Sequence, residues 1–131
     1  MINNAPVPED TIVREYLLER NMKTVAGKLS IPVGVVRRVI VSRCGPLYRL
    51  HGLCRVYLYM MGRCFASAKD VATSLRTSYQ NVYRAFSELE ERNVGLGVVK
   101  VRKKSRAFVY LVWNKEKCLD ELSKKVGVIV A

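Results

Sequence analysis

The sequence predicts a mainly α-helical protein carrying one small antiparallel β-hairpin. Three observations carry this expectation. A helix–break–helix pattern occurs twice, 46 residues apart. After Gly95 and Gly97 the apolar period changes from helical to two, and Lys103-Lys104-Ser105-Arg106 then separates two alternating segments. The chain has 131 residues, half of them hydrophobic, which suits one compact domain or two small modules.

The first helix is expected to open at Pro8-Glu9-Asp10, where acids suit the positive end of a helix dipole. Ile12, Val13, Tyr16 and Leu17 form its apolar stripe and Asn21 closes it. A short helix over 24–29 is broken by Ser30-Ile31-Pro32, with Ser30 expected to cap a third helix from 32 to about 41. Cys44-Gly45-Pro46 reads as a stop and linker. Over 48–63, Leu50, Leu53, Cys54, Tyr57, Leu58 and Met61 share one helical face, and Val56, Tyr59 and Met60 add apolar surface behind it. A helix apolar nearly all round is expected to be buried between modules or subunits.

Ser67 and Asp70 have the spacing of a capping box for a helix running to Leu75. Thr77 or Ser78 caps a longer helix through Arg92, which Asn93 ends. Strands over 98–102 and 107–113 follow. A last helix over 115–125 carries Cys118, Leu119, Leu122 and Val126; Gly127 closes it, and the apolar tail 128–131 calls for cover. These elements group as an N-terminal module (1–46), a second module (47–114) and a C-terminal helix with tail (115–131).

Charge narrows the function. Lys and Arg number 23 against 11 Asp and Glu, a formal net charge of +12. Between Glu19 and Asp70 there is no acid, only Arg20, Lys23, Lys28, Arg37, Arg38, Arg43, Arg49, Arg55, Arg63 and Lys69. Between Glu91 and Glu116 acids are again absent, while Arg92, Lys100, Arg102, Lys103, Lys104, Arg106 and Lys115 are present. Segregated positive charge points to a polyanion, and first to nucleic acid. No apolar run reaches the ~18–20 residues of a membrane span. The acidic, proline-bearing N-terminus does not read as a signal peptide, so a cytoplasmic location is expected.

Catalytic and metal chemistry find little support. The single histidine, His51, reads as a surface or core residue rather than a ligand. Cys44, Cys54, Cys64 and Cys118 include no C-x-x-C pair and, with one His, cannot build a zinc-finger set. They are expected to be reduced, buried small hydrophobes, with disulfides the alternative in a hyperthermophile. Abundant Val and a single Gln, Gln80, lean toward a thermophilic source. Gly95-Leu96-Gly97 lacks a following Lys-Ser/Thr and is no phosphate loop. No carboxylate pair is placed for acid–base work, so no enzyme, cofactor or metal is expected.

The repeat is the sharpest signal. Val25-Ala26-x-x-Leu29 corresponds to Val71-Ala72-x-x-Leu75, and at the same offset Val36, Arg38 and Ile40 correspond to Val82, Arg84 and Phe86. Small Ala suits a close helix crossing, while Val and Leu fill the wedge between the helices. Residues 50–113 resemble a winged helix-turn-helix domain of small bacterial and archaeal transcription regulators, including the MarR-like ones. The residues that carry the resemblance are Ala68–Leu75, Asn81–Arg92 and the two strands. Residues 11–41 resemble a second, wingless helix-turn-helix.

The resemblance implies a helix over 78–92 in the major groove of double-stranded DNA. Its core side is expected at Val82, Ala85, Phe86 and Leu89, and its readers are Ser78, Gln80, Asn81, Tyr83, Arg84 and Ser87. Tyr79 reads either as packing on the preceding helix or as a DNA contact. Lys100, Arg102, Lys103, Lys104 and Arg106 fit a wing on the sugar–phosphate backbone. In the first module only Arg37 and Arg38 remain as DNA-binding candidates, because Pro32-Val33-Gly34-Val35 offers no base reader. A twofold homodimer is implied, through the 48–63 helix, the C-terminal segment, or both. Two other readings stay open: a DNA-coating protein of architecture, replication or partition, and an adaptor within transcription or replication machinery.

Overall fold

A computed structural model describes residues 7–103, 106–126 and 128–130. It is mainly helical with a small antiparallel sheet, and it divides into two compact units, Met1–Cys54 and Arg55–Ala131. Among the described residues no helix is long and apolar enough to cross a membrane, and no group of three or more His, Cys, Asp or Glu could hold a metal.

In the first unit, α1 (Glu9–Glu19), α2 (Met22–Leu29) and α3 (Val33–Cys44) pack around Ile12, Val13, Tyr16, Val25, Ala26, Val36, Val39 and Ile40. Arg20, not Asn21, ends α1: it takes a left-handed backbone (φ 63°) and its N–H returns to Tyr16 C=O. Asn21 begins α2 instead, its side-chain oxygen accepting from the N–H groups of Lys23 and Thr24 at 2.9 and 3.4 Å. A short acceptor side chain satisfies the unpaired donors at a helix start, which is where Asn is most useful. Ser30 likewise does not cap α3. It ends α2 in a left-handed conformation (φ 55°), and Pro32 stands at the N-cap position.

Gly45–Arg49 winds as a 3-10 turn rather than an open linker, with Pro46 in its first turn. The helix expected over 48–63 is therefore shorter, α4 (His51–Met60), and the two units divide within it. Its end is set by Gly62 at φ 80°, a backbone that side-chain-bearing residues rarely adopt. Leu53, Cys54, Val56, Leu58 and Met60 are buried, whereas Leu50, Tyr57 and Met61 of the expected face are only partly so.

In the second unit, strand β1 (Phe65–Ser67) precedes α5 (Ala68–Leu75) and α6 (Tyr79–Glu91), followed by β2 (Leu96–Lys103), β3 (Arg106–Trp113), α7 (Lys115–Val126) and β4 (Val128–Val130). The sheet order is β1-β3-β2-β4, antiparallel throughout. Both β1 and β4 escaped the sequence reading, because three residues are too few to show alternation. Part of the tail pairs as an edge strand: Lys100, Val101 and Arg102 of β2 oppose Val130, Ile129 and Val128. The closing role expected of Gly127 lies outside the described residues.

One face of the hairpin, Val99, Val101 and Val112, packs on Cys118 and Leu122 of α7. The expectation of four reduced cysteines is corrected. Cys44 is bonded to Cys54 within the first unit and Cys64 to Cys118 within the second, leaving no free thiol. Spacing along the chain cannot reveal such pairs, because it is the fold that brings the Cα atoms within 5.9 and 5.6 Å. The second bridge fastens α7 to the residue before β1, across 54 positions of sequence.

A bridge over the longer loop removes more freedom from the unfolded chain. Cys64→Ala/Cys118→Ala is therefore expected to cost about 4 kcal/mol and Cys44→Ala/Cys54→Ala about 3, by urea denaturation. Mass spectrometry after iodoacetamide without reductant is expected to find no alkylated cysteine.

Candidate nucleic-acid interface

The 46-residue repeat is reproduced by the backbone. Asn21 and Ser67 hold the N-cap positions of α2 and α5, and both helices end 46 residues apart at Leu29 and Leu75. The next residues, Ser30 and Arg76, are both left-handed at φ 55° and 52°. The N–H groups of Ile31 and Thr77 then return to Ala26 and Ala72 C=O, each at 3.0 Å. α3 and α6 start at Val33 and Tyr79. Two stretches of chain with little identity thus make the same turn, because Val25, Ala26 and Val36 in one, and Val71, Ala72 and Val82 in the other, are buried in matching places.

In the second unit the turn is held from outside as well. Arg55, the buried charged residue of α4, donates from Nη2 to Leu75 C=O at 2.9 Å. That carbonyl belongs to the last turn of α5, where intrahelical partners run out and a cation also meets the negative end of the dipole. Trp113 ties the hairpin to the same helix: its indole N–H donates to Met60 C=O at 2.6 Å and its ring stands edge-on to Tyr57. Gly95 beneath that indole takes φ 89°, a backbone that side-chain-bearing residues rarely adopt.

On α6, Val82, Ala85, Phe86 and Leu89 are buried, and Ser78, Gln80, Asn81, Tyr83, Arg84 and Ser87 are all exposed. Two of these are partly engaged. Ser78 Oγ accepts the Asn81 N–H at 3.2 Å, and the Asn81 amide donates to Thr77 Oγ1 at 3.1 Å. Helical spacing sets Gln80, Arg84 and Ser87 in one outward strip that ends at Glu91. Glu88, Glu90 and Glu91 gather negative charge at the C-terminal end of α6, where Arg92 bridges Glu88 at 3.7 Å, while its first two turns carry no acid. Glu90 has a structural task too: its carboxylate accepts the Val98 N–H at 2.6 Å, docking the end of α6 on the start of β2.

Strand alternation separates the expected wing residues. Lys100 and Arg102 are exposed on one face of β2, opposite Val109 and Ala107. Arg106 is exposed at the start of β3, where its backbone opposes that of Lys103. Lys104 lies outside the described residues. β2 is not an edge, since β4 and β3 flank it.

In the first unit Arg37 and Arg38 are exposed on α3, at the places that Tyr83 and Arg84 hold on α6. Gly34 and Val35 stand where α6 has Gln80 and Asn81. Some of the unit's positive charge is spent internally. Lys28 bridges Glu15 at 2.9 Å and Glu19 at 3.4 Å, and those hydrogen bonds, Glu15 foremost, raise its pKa above the ordinary lysine value. Arg43 bridges Glu9 and Asp10 at 3.3 and 3.1 Å. His51 is exposed but bonded through Nδ1 to the buried Tyr16 hydroxyl at 3.0 Å.

Sequence reasoning missed Arg55 and left Tyr79 undecided. Tyr79 is 48 % exposed and Tyr83 44 %, with their rings stacked 6.3 Å apart. Their spacing of four, offset from the Val82–Phe86–Leu89 stripe, was the available signal. The chain matches no family model, and no curated protein or solved structure is significantly similar to it.

Replacing Arg55 by Met keeps most of the packing volume but leaves the Leu75 carbonyl without its charged donor. A loss of about 1.5–3 kcal/mol is expected in urea denaturation, with helix content by circular dichroism unchanged before the transition.

Proposed function

We propose that the protein is a non-enzymatic double-stranded DNA-binding protein that acts as a transcription regulator, its second unit a winged helix-turn-helix and its first a wingless one. In this reading α6 enters the major groove and the β2–β3 hairpin is the wing. The observation that carries it is the surface of α6: every residue of its outward strip over the first two turns is polar or aromatic, and the neighbouring hairpin exposes Lys100, Arg102 and Arg106. Gln80 and Asn81 suit adenine and Arg84 suits guanine, while the wing cations neutralise phosphates.

The first unit takes a different part. With Gly34 and Val35 at the reading positions, α3 has only Arg37 and Arg38 to offer, and these grip phosphate without reading bases. That observation favours, as the second reading, a DNA-coating protein of low sequence preference. An adaptor that binds acidic protein within transcription or replication machinery is less well supported, since Gln80, Asn81 and Ser87 offer little to an acidic partner. Twofold dimerisation, with each copy reading one half-site, belongs to the regulator reading. An intracellular role is compatible with two disulfides in a hyperthermophilic cell, where such bridges persist.

Fluorescence anisotropy with a mixed-sequence duplex, across a salt series, tests the reading. Affinity is expected to fall steeply with salt, and Lys100→Ala, Arg102→Ala and Arg106→Ala each to reduce the log–log slope by about 0.9. Selection from a random duplex library separates regulator from coating protein. Arg84→Ala is expected to cost about 1–3 kcal/mol on an enriched site. Absence of duplex binding at low salt overturns the DNA reading.

A further inference from the structure

Tyr79 and Tyr83 bury only about half of their surface, less than their size would suggest. Phe86, on the same helix, is 1 % exposed, yet these two aromatics keep nearly half their surface in water. Large apolar surface left outside is informative, because burying it would stabilise the fold. The two rings lie one helical turn apart with centroids 6.3 Å apart and planes 26° from parallel, so they form one continuous apolar strip. Helical spacing sets this strip beside Gln80, Arg84 and Ser87, on the flank shared with Glu90, whose carboxylate meets the base of the hairpin.

We propose that Tyr79 and Tyr83 read the C5-methyl groups of thymines in the major groove, and so give the protein a preference for thymine at positions two apart. The inference rests on the DNA-binding reading and adds a chemical specificity to it. The C5-methyl of thymine is the apolar feature that base pairs present in the major groove, and apolar side chains recognise it by contact. Amide and guanidinium readers alone leave that feature unread. The spacing fits as well, since successive bases on one strand rise about 3.4 Å, so two steps nearly match the distance between the rings. The phenol hydroxyls can donate to phosphate, but phosphate leaves the flat apolar ring faces unused, whereas the thymine methyl meets them.

The test compares alternating poly(dA-dT), which has thymine at every second base of each strand, with poly(dA-dU), which differs only by the methyl groups. Wild-type protein is expected to bind the thymine polymer more tightly by about fourfold for each methyl it covers. In Tyr79→Ala/Tyr83→Ala the two polymers are expected to bind alike, while Tyr79→Phe/Tyr83→Phe keeps the preference because the rings remain. Poly(dG-dC) and its 5-methylcytosine form give an independent check, the methylated polymer binding more tightly to wild type alone of the wild-type and Ala proteins. Equal binding of the thymine and uracil polymers by wild type overturns the inference and leaves the DNA reading standing. So does a preference that survives the double Ala change. Failure to bind any duplex overturns both.

Discussion

What the candidate interface presents depends on one tight turn between two helices. In the second unit, the left-handed backbone at Arg76 lets two successive N–H groups fold back onto the last carbonyls of α5, and Ala72 allows α6 to cross closely. A larger residue at Ala72 would push the helices apart, since interiors are packed without slack. The turn is also braced by Arg55 on the Leu75 carbonyl. The direction of α6, and hence of its exposed side chains, follows from these few contacts. The hairpin is positioned from the other end of α6 by Glu90 and from α4 by the Trp113 indole.

The chain makes this turn twice with matching helix ends and nearly the same left-handed backbone angle, yet the two outward faces differ. Over its first turns α6 exposes two amides, a guanidinium and two aromatic rings, with a hydroxyl and carboxylates beyond them. On α3 the exposed positions carry glycine, two arginines, a valine and a serine. Buried positions set the geometry of a helical pair and exposed positions set its chemistry, so the two can diverge independently. This separation makes a common architecture compatible with different work in the two units.

Charge shows a similar division between what is present and what is available. The acid-free stretch from Arg20 to Lys69 carries ten bases, but Lys28 and Arg43 are paired with acids of α1, and Arg55 is buried against a carbonyl. The acids that sequence distance separated from these bases are their neighbours in space. Exposed salt bridges of this kind add little stability. Their larger effect here is to reduce the positive charge that the first unit can direct outward.

Local signals in the sequence determined much of this protein: the helical stripes, the Ser67 and Ser78 caps, the left-handed Asn93, the alternating hairpin, the paired repeat and the exposed face of α6. Each is written in residues close together in the chain, where helical or strand period and capping chemistry act. Tertiary structure alone decided the rest. It paired Cys44 with Cys54 and Cys64 with Cys118, laid the three-residue strands β1 and β4 on the hairpin, and aimed Arg55 at the end of α5. It also moved Asn21 and Ser30 to the opposite helix ends from those expected, because a polar residue between two helices can close one or open the next. Those outcomes turn on partners far away in sequence, or on which of two neighbouring ends wins a shared residue, and short-range pattern carries no information about either.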